Sequence, residues 1–288
     1  ITNLTSLIDL ATIIRFMNDA IKKAPEIFSI SDIPLNETAN FYYGSFTGLS
    51  VTVFNLIPAF TNMFGKGILP GLTEAWAIKD KEKITKSVTS VLTVTCLIAL
   101  PSGIGISFMA KEILEFLFSS RTQEILISSQ SLTYLGIGVV FLSLSTPIFA
   151  MFQAIGKASV PVKIMTAGVI IKLIGNIILI PIPSLNINGA AISTAICYIV
   201  IFIASIILLI KHLKISIRLS SLFIKPLYSA VMCGITARLC YDVIIMLVSE
   251  RIALLASIAS GGIIYLILLY LLNYINKDKI KSFFLKKL

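Results

Sequence analysis

Apolar runs about as long as a bilayer-crossing helix, roughly 20 residues, follow one another along almost the whole sequence. A helix of that length spans the hydrocarbon core of a membrane, because it rises about 1.5 Å per residue and the core is about 30 Å thick. The sequence holds no series of ten-residue segments in which apolar and polar residues alternate, so a transmembrane β-barrel is not indicated. The pattern predicts an all-α, polytopic membrane helical bundle that lies in a lipid bilayer.

Composition and charge agree with a membrane location. Hydrophobic residues make up 57% of the chain and charged residues 13%, whereas soluble domains carry about 25% charged residues. The formal net charge of +10 comes from basic residues in short segments between the apolar runs. Such a distribution is typical of the positive-inside bias that orients membrane proteins, and it does not indicate a nucleic-acid partner.

We divide the chain into about eight predicted transmembrane helices. They are Thr2–Met17, Phe41–Phe64, Ser87–Ala110, Ser131–Ile155, Val160–Pro183, Gly189–Ile210, Pro226–Val248 and Ile252–Ile275. The sequence begins at Ile1, directly before the first apolar run, and shows no signal peptide. We therefore expect the chain to be a piece of a longer protein and to lack its N-terminal part.

The distribution of Lys and Arg between the predicted spans predicts the orientation. Fifteen of these residues fall in segments 65–86, 156–159, 211–225 and 276–288. The alternate segments, 18–40, 111–130, 184–188 and 249–251, hold five. Because the basic side of a membrane protein faces the cytoplasm, both termini of the chain are predicted to be cytoplasmic.

Lys172 is the most costly residue for a lipid environment. It lies twelve residues into the fifth predicted span, which places it near mid-bilayer at a cost of roughly 2.5–3.5 kcal/mol on insertion scales. Asn176 follows one turn later on the same helix face. Two interpretations stay open for Lys172: it lines a substrate cavity, or it forms an internal ion pair with a carboxylate.

Three further charged residues bear on that choice. Asp9 lies in the middle of the first predicted span, where it is either the partner of Lys172 or part of a site that couples transport to a cation or proton. Arg15, six residues later, is about 120° away around the helix, so these two do not pair. Arg238 and Asp242 are spaced i,i+4, which predicts a structural ion pair.

Three prolines and two short segments complete the pattern. Pro58, Pro101 and Pro147 fall within consecutive predicted spans and predict broken or kinked helices, which occur in transporters and in static bundles alike. Leu69–Ala77 and Lys111–Phe118 predict two helices that lie at the membrane surface.

The sequence carries no motif for catalysis or for a cofactor. It holds no CxxC, HExxH, DxD, GxSxG or phosphate-binding loop. Its four cysteines all fall inside apolar spans and indicate packing rather than a disulfide or metal site. We therefore expect neither an enzyme nor a bound metal or cofactor.

Several motifs resemble a known family. Residues 152–198 contain Q-x-x-G-K at Gln153 to Lys157, K-x-x-x-N at Lys172 to Asn176, and N-G-A-A-x-x-T at Asn188 to Thr194. Upstream lie FYYG at 41–44, NLIP at 55–58, ILPGLTEAWA at 68–77 and LPSGIG at 100–105. Through about Arg218, the chain resembles the stage V sporulation protein B-like branch of the polysaccharide transporters. That branch belongs to the superfamily of the multidrug (MATE) exporters and the lipid II flippases.

The resemblance implies an architecture of about fourteen helices, with two six-helix lobes and two extra helices at the C-terminus. Residues 1–218 would then be the second lobe, and residues 219–288 the two extra helices with a basic cytoplasmic tail. It also implies alternating access in the bacterial cytoplasmic membrane, by which a lipid-linked anionic saccharide moves from the inner to the outer leaflet. The missing first lobe would be a partner of this chain.

The same resemblance suggests roles for particular residues. Under it, the cavity would be lined by Lys172, Asn176, Asp9, Arg15 and Gln153. Two alternatives remain open at this point. One is a cation-coupled multidrug exporter in which Asp9 is the coupling carboxylate, and the other is a non-transporting membrane scaffold whose charges form structural pairs.

Overall fold

A computed structural model describes residues 2–28 and 33–274, although the side chains of residues 2–6, 64–66, 68 and 69 are left undescribed. Ten α-helices make up this part of the chain. They are α1 (Thr2–Lys23), α2 (Leu35–Ser45), α3 (Val51–Ala77), α4 (Lys81–Phe108), α5 (Ala110–Leu117), α6 (Thr122–Ala154), α7 (Ser159–Leu179), α8 (Asn188–Leu213), α9 (Leu219–Ile244) and α10 (Glu250–Leu271). The basic tail expected after residue 275 lies outside the described residues.

Six of the described helices are long and apolar enough to cross a membrane, namely α4 and α6 to α10. The last six predicted spans correspond to these helices. The first two predicted spans fall on α1 and on α2–α3, where polar residues lower the mean hydropathy, so the count of eight stays a prediction. The helix α1 also continues to Lys23, six residues beyond the predicted end at Met17.

The helices α2 and α3 form one continuous rod. A π-helical turn, Phe46–Ser50, joins them without a break, and α3 runs on through Pro70 to Ala77. The prediction of a separate surface helix at Leu69–Ala77 is therefore wrong, since this segment is the last part of α3. The other predicted short helix is present as α5.

The core of the bundle is built around α6. This helix is buried on most of its circumference and packs against α3, α4 and α8. Outside it, α7 packs on α8, and α1 packs on α2 and α7. The hairpin of α9 and α10 packs against α4 and, through α10, against α5. Apolar side chains that remain exposed, such as Ile174 and Leu255, suit a surface in contact with lipid.

Pro58, Pro101 and Pro147 lie inside helices that continue on both sides of them. The helices are therefore not broken at these prolines, and the kinks expected there stay a prediction. A proline removes one backbone donor, and for Pro101 a side chain compensates: the Tyr265 hydroxyl of α10 donates to the Leu97 carbonyl at 3.1 Å. Leu97 lies four residues before Pro101, so its carbonyl is the one deprived of a helical partner.

The same arrangement recurs at the proline of α9. Pro226 lies inside α9, and the Tyr274 hydroxyl donates to the carbonyl of Leu222, four residues earlier, at 3.1 Å. Lys225 Nζ also donates to the Leu272 carbonyl at 2.7 Å. Tyr265 and Tyr274 thus donate to the two carbonyls that Pro101 and Pro226 leave without a helical donor.

Replacing Tyr265 by phenylalanine is expected to cost about 1–3 kcal/mol of unfolding free energy, because the Leu97 carbonyl is left in an apolar core without a donor. Tyr270→Phe is the matched control, since Tyr270 lies on the same helix and is 60% exposed. Thermal unfolding in detergent measures both. Equal melting temperatures for the two variants would contradict a stabilising role for the Tyr265 hydrogen bond.

Candidate functional site

A buried ion pair joins α1 to α7. Lys172 Nζ lies 2.6 Å from Asp9 Oδ2, and the two residues are 2% and 6% exposed, respectively. The second carboxylate oxygen, Oδ1, accepts a hydrogen bond from Asn176 Nδ2 at 3.2 Å. Both oxygens of Asp9 are therefore engaged, as a charge in a low-dielectric interior requires.

Asn176 extends this pair into a network that reaches α8. Its Nδ2 also donates to Thr12 Oγ1 at 2.9 Å, and its Oδ1 accepts from the Ser193 hydroxyl. Thr12 in turn donates to the Ile8 carbonyl of its own helix at 2.6 Å. We define the buried cluster as Asp9, Thr12, Lys172, Asn176 and Ser193.

Helical spacing and one glycine bring these residues together. Lys172 and Asn176 are four residues apart on α7, and Asp9 and Thr12 three apart on α1, so each pair projects from one face. At Gly175, an added Cβ would lie 2.6 Å from the Ser193 Cβ. Only glycine permits this approach, which brings the Ser193 hydroxyl to the amide of Asn176.

Of the two interpretations of Lys172, this structure shows the internal ion pair, with Asp9 as the carboxylate. Because Lys172 is enclosed, it can contact a substrate only if α1 moves away. Arg15 is exposed, with its guanidinium 5.9 Å from the Phe16 ring centroid, and Gln153 is exposed at the end of α6. Neither joins the buried cluster, and their role in lining a cavity stays a prediction.

Two members of the cluster were not identified from the sequence. Thr12 could have been found, because it lies one turn after Asp9 on the same face. Ser193 could not, because it lies on another helix and the close approach at Gly175 that brings it near is a tertiary feature.

A second ion-pair group lies between α5 and α9. Arg238 Nη2 lies 3.0 Å from Asp242 Oδ1, and its Nη1 contacts Glu112 of α5. The i,i+4 spacing predicted the first contact, whereas Glu112, which is 8% exposed, adds a tertiary partner. Arg238 therefore fastens the short helix α5 to α9.

An open cavity of about 630 Å³ lies where the ends of α1 and α7 meet. Its walls include Phe16, Asp19 and Lys22 of α1 and Ile178 of α7. Beside it, Lys23 Nζ donates to the Pro181 carbonyl at 3.2 Å. This hydrogen bond is a second contact between α1 and the α7 region, in addition to those of the buried cluster.

The described part of the chain contains no group of three or more His, Cys, Asp or Glu residues that could hold a metal ion. Its four cysteines are free, and three of them are buried.

A bundle with six helices able to cross a bilayer and an ion pair buried among its helices defines a polytopic membrane protein with a polar site inside the bundle. Intramembrane ionisable residues of this kind mark substrate and ion pathways in transporters. The comparison with known families is consistent with that class. The sequence model of the family "Lipid II flippase MurJ" matches residues 42–272, and the chain belongs to this family.

Individual relatives are distant. The chain is 24% identical over 223 residues to a lipid II flippase MurJ of Bacillus subtilis (strain 168), covering 74% of this chain and 40% of that protein. It is 23% identical over 240 residues to stage V sporulation protein B of the same organism, covering 83% and 45%. An uncharacterized membrane protein of Methanocaldococcus jannaschii, MJ1068, is 27% identical over 169 residues, covering 59% and 32%.

The fold is also similar to a solved structure. A lipid II flippase MurJ in an inward closed conformation matches with a TM-score of 0.60 at 18% identity, covering 88% of this chain and 50% of that one. At this identity the likeness shows the fold alone. The chain spans half or less of the length of each of these relatives.

Proposed function

We propose that this protein takes part in moving a lipid-linked precursor of the cell envelope from the inner to the outer leaflet of the bacterial cytoplasmic membrane. The observation that carries the proposal is the family match over residues 42–272. The two Bacillus subtilis relatives, one of them named a lipid II flippase, support it over a multidrug exporter or a static scaffold. The protein would act as a transporter and not as an enzyme.

In this proposal the chain supplies the second half of a two-lobed transporter. The coverage of about half of the solved flippase supports this assignment. Residues 1–218 would form the lobe, and residues 219–288 the hairpin of α9 and α10 with the basic tail. The distribution of Lys and Arg predicts that both ends of the chain lie in the cytoplasm, and the first lobe is the inferred partner.

The buried cluster would act as a contact that alternates during transport. In the structure, the Lys172 ammonium is neutralised by the Asp9 carboxylate at 2.6 Å. A movement of α1 would withdraw that carboxylate and expose a cation. A phosphate group of the lipid-linked substrate then takes its place, because an unpaired charge in the membrane is costly. Asn176 would hydrogen-bond either anion.

Precursor translocation by the complete transporter tests this function, and the variant Lys172→Ala tests the part assigned to the buried cluster. We expect loss of precursor translocation per molecule of folded protein, because the variant removes the cation that receives the phosphate. Lys163→Ala is the control, since Lys163 lies on the same helix and is exposed. Translocation is measured with a labelled polyprenyl-linked saccharide in vesicles. Unchanged transport by Lys172→Ala would remove this residue from the mechanism.

A further inference from the structure

The open cavity at the ends of α1 and α7, which we call the α1–α7 cavity, has one charged wall and one apolar wall. Asp19, Lys22 and Lys23 of α1 form the charged wall. The apolar wall belongs to the end of α7 and the turn after it, and consists of Ile177, Ile178, Pro181 and Ile182. One wall therefore suits an ionic group, and the other suits a hydrocarbon chain.

The α1–α7 cavity lies at the depth of the lipid headgroups. Its wall includes the last turn of α7, a helix that ends at Leu179 and is long and apolar enough to cross a bilayer. The end of such a helix meets the polar boundary of the membrane. Towards the middle of α7, Ile170 and Ile174 are exposed. A lipid whose polar head enters the cavity can therefore place an acyl chain along α7.

The three charged side chains do not neutralise one another. Asp19 lies three residues before Lys22 and four before Lys23, the spacing at which opposite charges on a helix commonly pair. None of the ion pairs among the described residues includes any of the three, and Lys23 Nζ donates instead to the Pro181 carbonyl. The dipole of α1 favours the two lysines of its last turn, but it disfavours a carboxylate at this end. The helix therefore explains the lysines and not Asp19.

A ligand that satisfies all three groups carries an anion and a cation close together. A phosphate accepts charge-assisted hydrogen bonds from the two lysine ammonium groups, and a primary ammonium donates such bonds to the carboxylate of Asp19. A phosphoethanolamine headgroup joins these two ions through a short ethylene link. The quaternary ammonium of phosphocholine has no N–H to donate, and a phosphoglycerol headgroup carries no cation. The charged wall therefore fits phosphoethanolamine better than either of these.

We propose that the α1–α7 cavity binds the headgroup of an ethanolamine phospholipid of the surrounding membrane. Its phosphate lies at Lys22 and Lys23, and its ammonium lies at Asp19. This lipid is a resident of the bilayer and is distinct from the transported precursor, so the site goes beyond the proposed function. Because the headgroup contacts α1 while an acyl chain lies along α7, the bound lipid favours the arrangement in which Asp9 and Lys172 are paired. The predicted orientation of the chain puts it in the outer leaflet.

Native mass spectrometry of the complete transporter, purified in detergent, tests the proposal by counting bound lipid. Dioleoyl phosphatidylethanolamine and dioleoyl phosphatidylcholine differ only in the headgroup, and we expect about a tenfold preference for the first, because only its ammonium donates hydrogen bonds to Asp19. Asp19→Asn is expected to remove this preference. Lys22→Gln is expected to weaken binding of both lipids several-fold, since both carry the phosphate. Lys163→Gln is the control, because Lys163 is exposed near the other end of α7, and it leaves binding unchanged.

Two competitors distinguish the sources of the phosphate. We expect neither O-phosphoethanolamine, which lacks acyl chains, nor polyprenyl diphosphate to displace the bound phosphatidylethanolamine at an equal concentration. Displacement by the first would assign the cavity to a soluble phosphate compound, and displacement by the second would assign it to the transported lipid; either result overturns the proposal. Equal binding of the two phospholipids, or a preference that survives Asp19→Asn, would also overturn it. Precursor translocation tests the proposed function separately, and its absence would leave these binding results unaffected.

Discussion

Replacing Asp9 by asparagine is expected to destabilise the folded chain by roughly 3–5 kcal/mol, because the buried Lys172 ammonium loses its counter-charge. Lys172 is 2% exposed, so water cannot replace the carboxylate without a rearrangement of α1. Asn176 carries no charge, and its Oδ1 already accepts from the Ser193 hydroxyl, so it cannot replace the carboxylate. Unfolding in mixed detergent micelles gives the free-energy difference from the unmodified protein.

A double-mutant cycle measures the interaction energy between Asp9 and Lys172 apart from the other effects of each substitution. Asp9→Asn combined with Lys172→Met removes both charges, and we expect it to recover much of the stability lost in Asp9→Asn. Lys163→Met is the control for loss of a lysine from the exposed face of α7, with an expected change within about 0.5 kcal/mol. If the double variant loses as much stability as Asp9→Asn and Lys172→Met lose together when each is measured alone, Asp9 and Lys172 do not stabilise one another.

Gly136→Ala is also expected to destabilise the folded chain, because α4 and α6 meet there backbone to backbone. An added Cβ at residue 136 would lie 2.6 Å from the Gly103 carbonyl oxygen and 2.8 Å from Ser107 N. Neither atom belongs to a flexible side chain, so the two helices must separate. Overpacking of this kind costs about 1–3 kcal/mol and more where the backbone must move. Thermal unfolding and the yield of folded protein from membranes measure the loss.

Gly105→Ala provides the matched control within α4. Nothing lies within 4 Å of the position that its Cβ would occupy, so alanine meets open space. Alanine is favoured over glycine in a helix by up to about 1 kcal/mol, and the expected result is unchanged or raised stability. If Gly105→Ala and Gly136→Ala unfold alike, the close contact between α4 and α6 does not limit stability.

The local features of the fold were predictable from the sequence. Bilayer-length apolar runs identified the six helices that can cross a membrane, because length and hydropathy are properties of a single segment. The contact of Arg238 with Asp242 was predictable for the same reason, since residues four apart in a helix are neighbours. The costly position of Lys172 also follows from its depth within one span.

The predictions that failed depend on contacts between a segment and other parts of the chain. Prolines predicted broken or kinked spans. No break occurs at Pro101, since α4 continues through it, and Tyr265, 164 positions later in the sequence, supplies a donor to the Leu97 carbonyl. The segment Leu69–Ala77 predicts a separate surface helix, because it carries Trp76 and tryptophan is typical of the membrane interface. In the structure it extends α3, which already runs through Pro58 without ending.

The sequence alone determined that this chain is a helical membrane bundle with a charge in the middle of one apolar span, because the bilayer imposes its length and polarity on each span separately. Only the tertiary structure decided which carboxylate neutralises that charge. The choice of Asp9 depends on α1 packing against α7, and Ser193 joins only because α8 approaches at Gly175. These contacts join residues far apart in the chain, and no periodicity within one helix specifies them. The same holds for Glu112 of α5, which contacts Arg238 of α9.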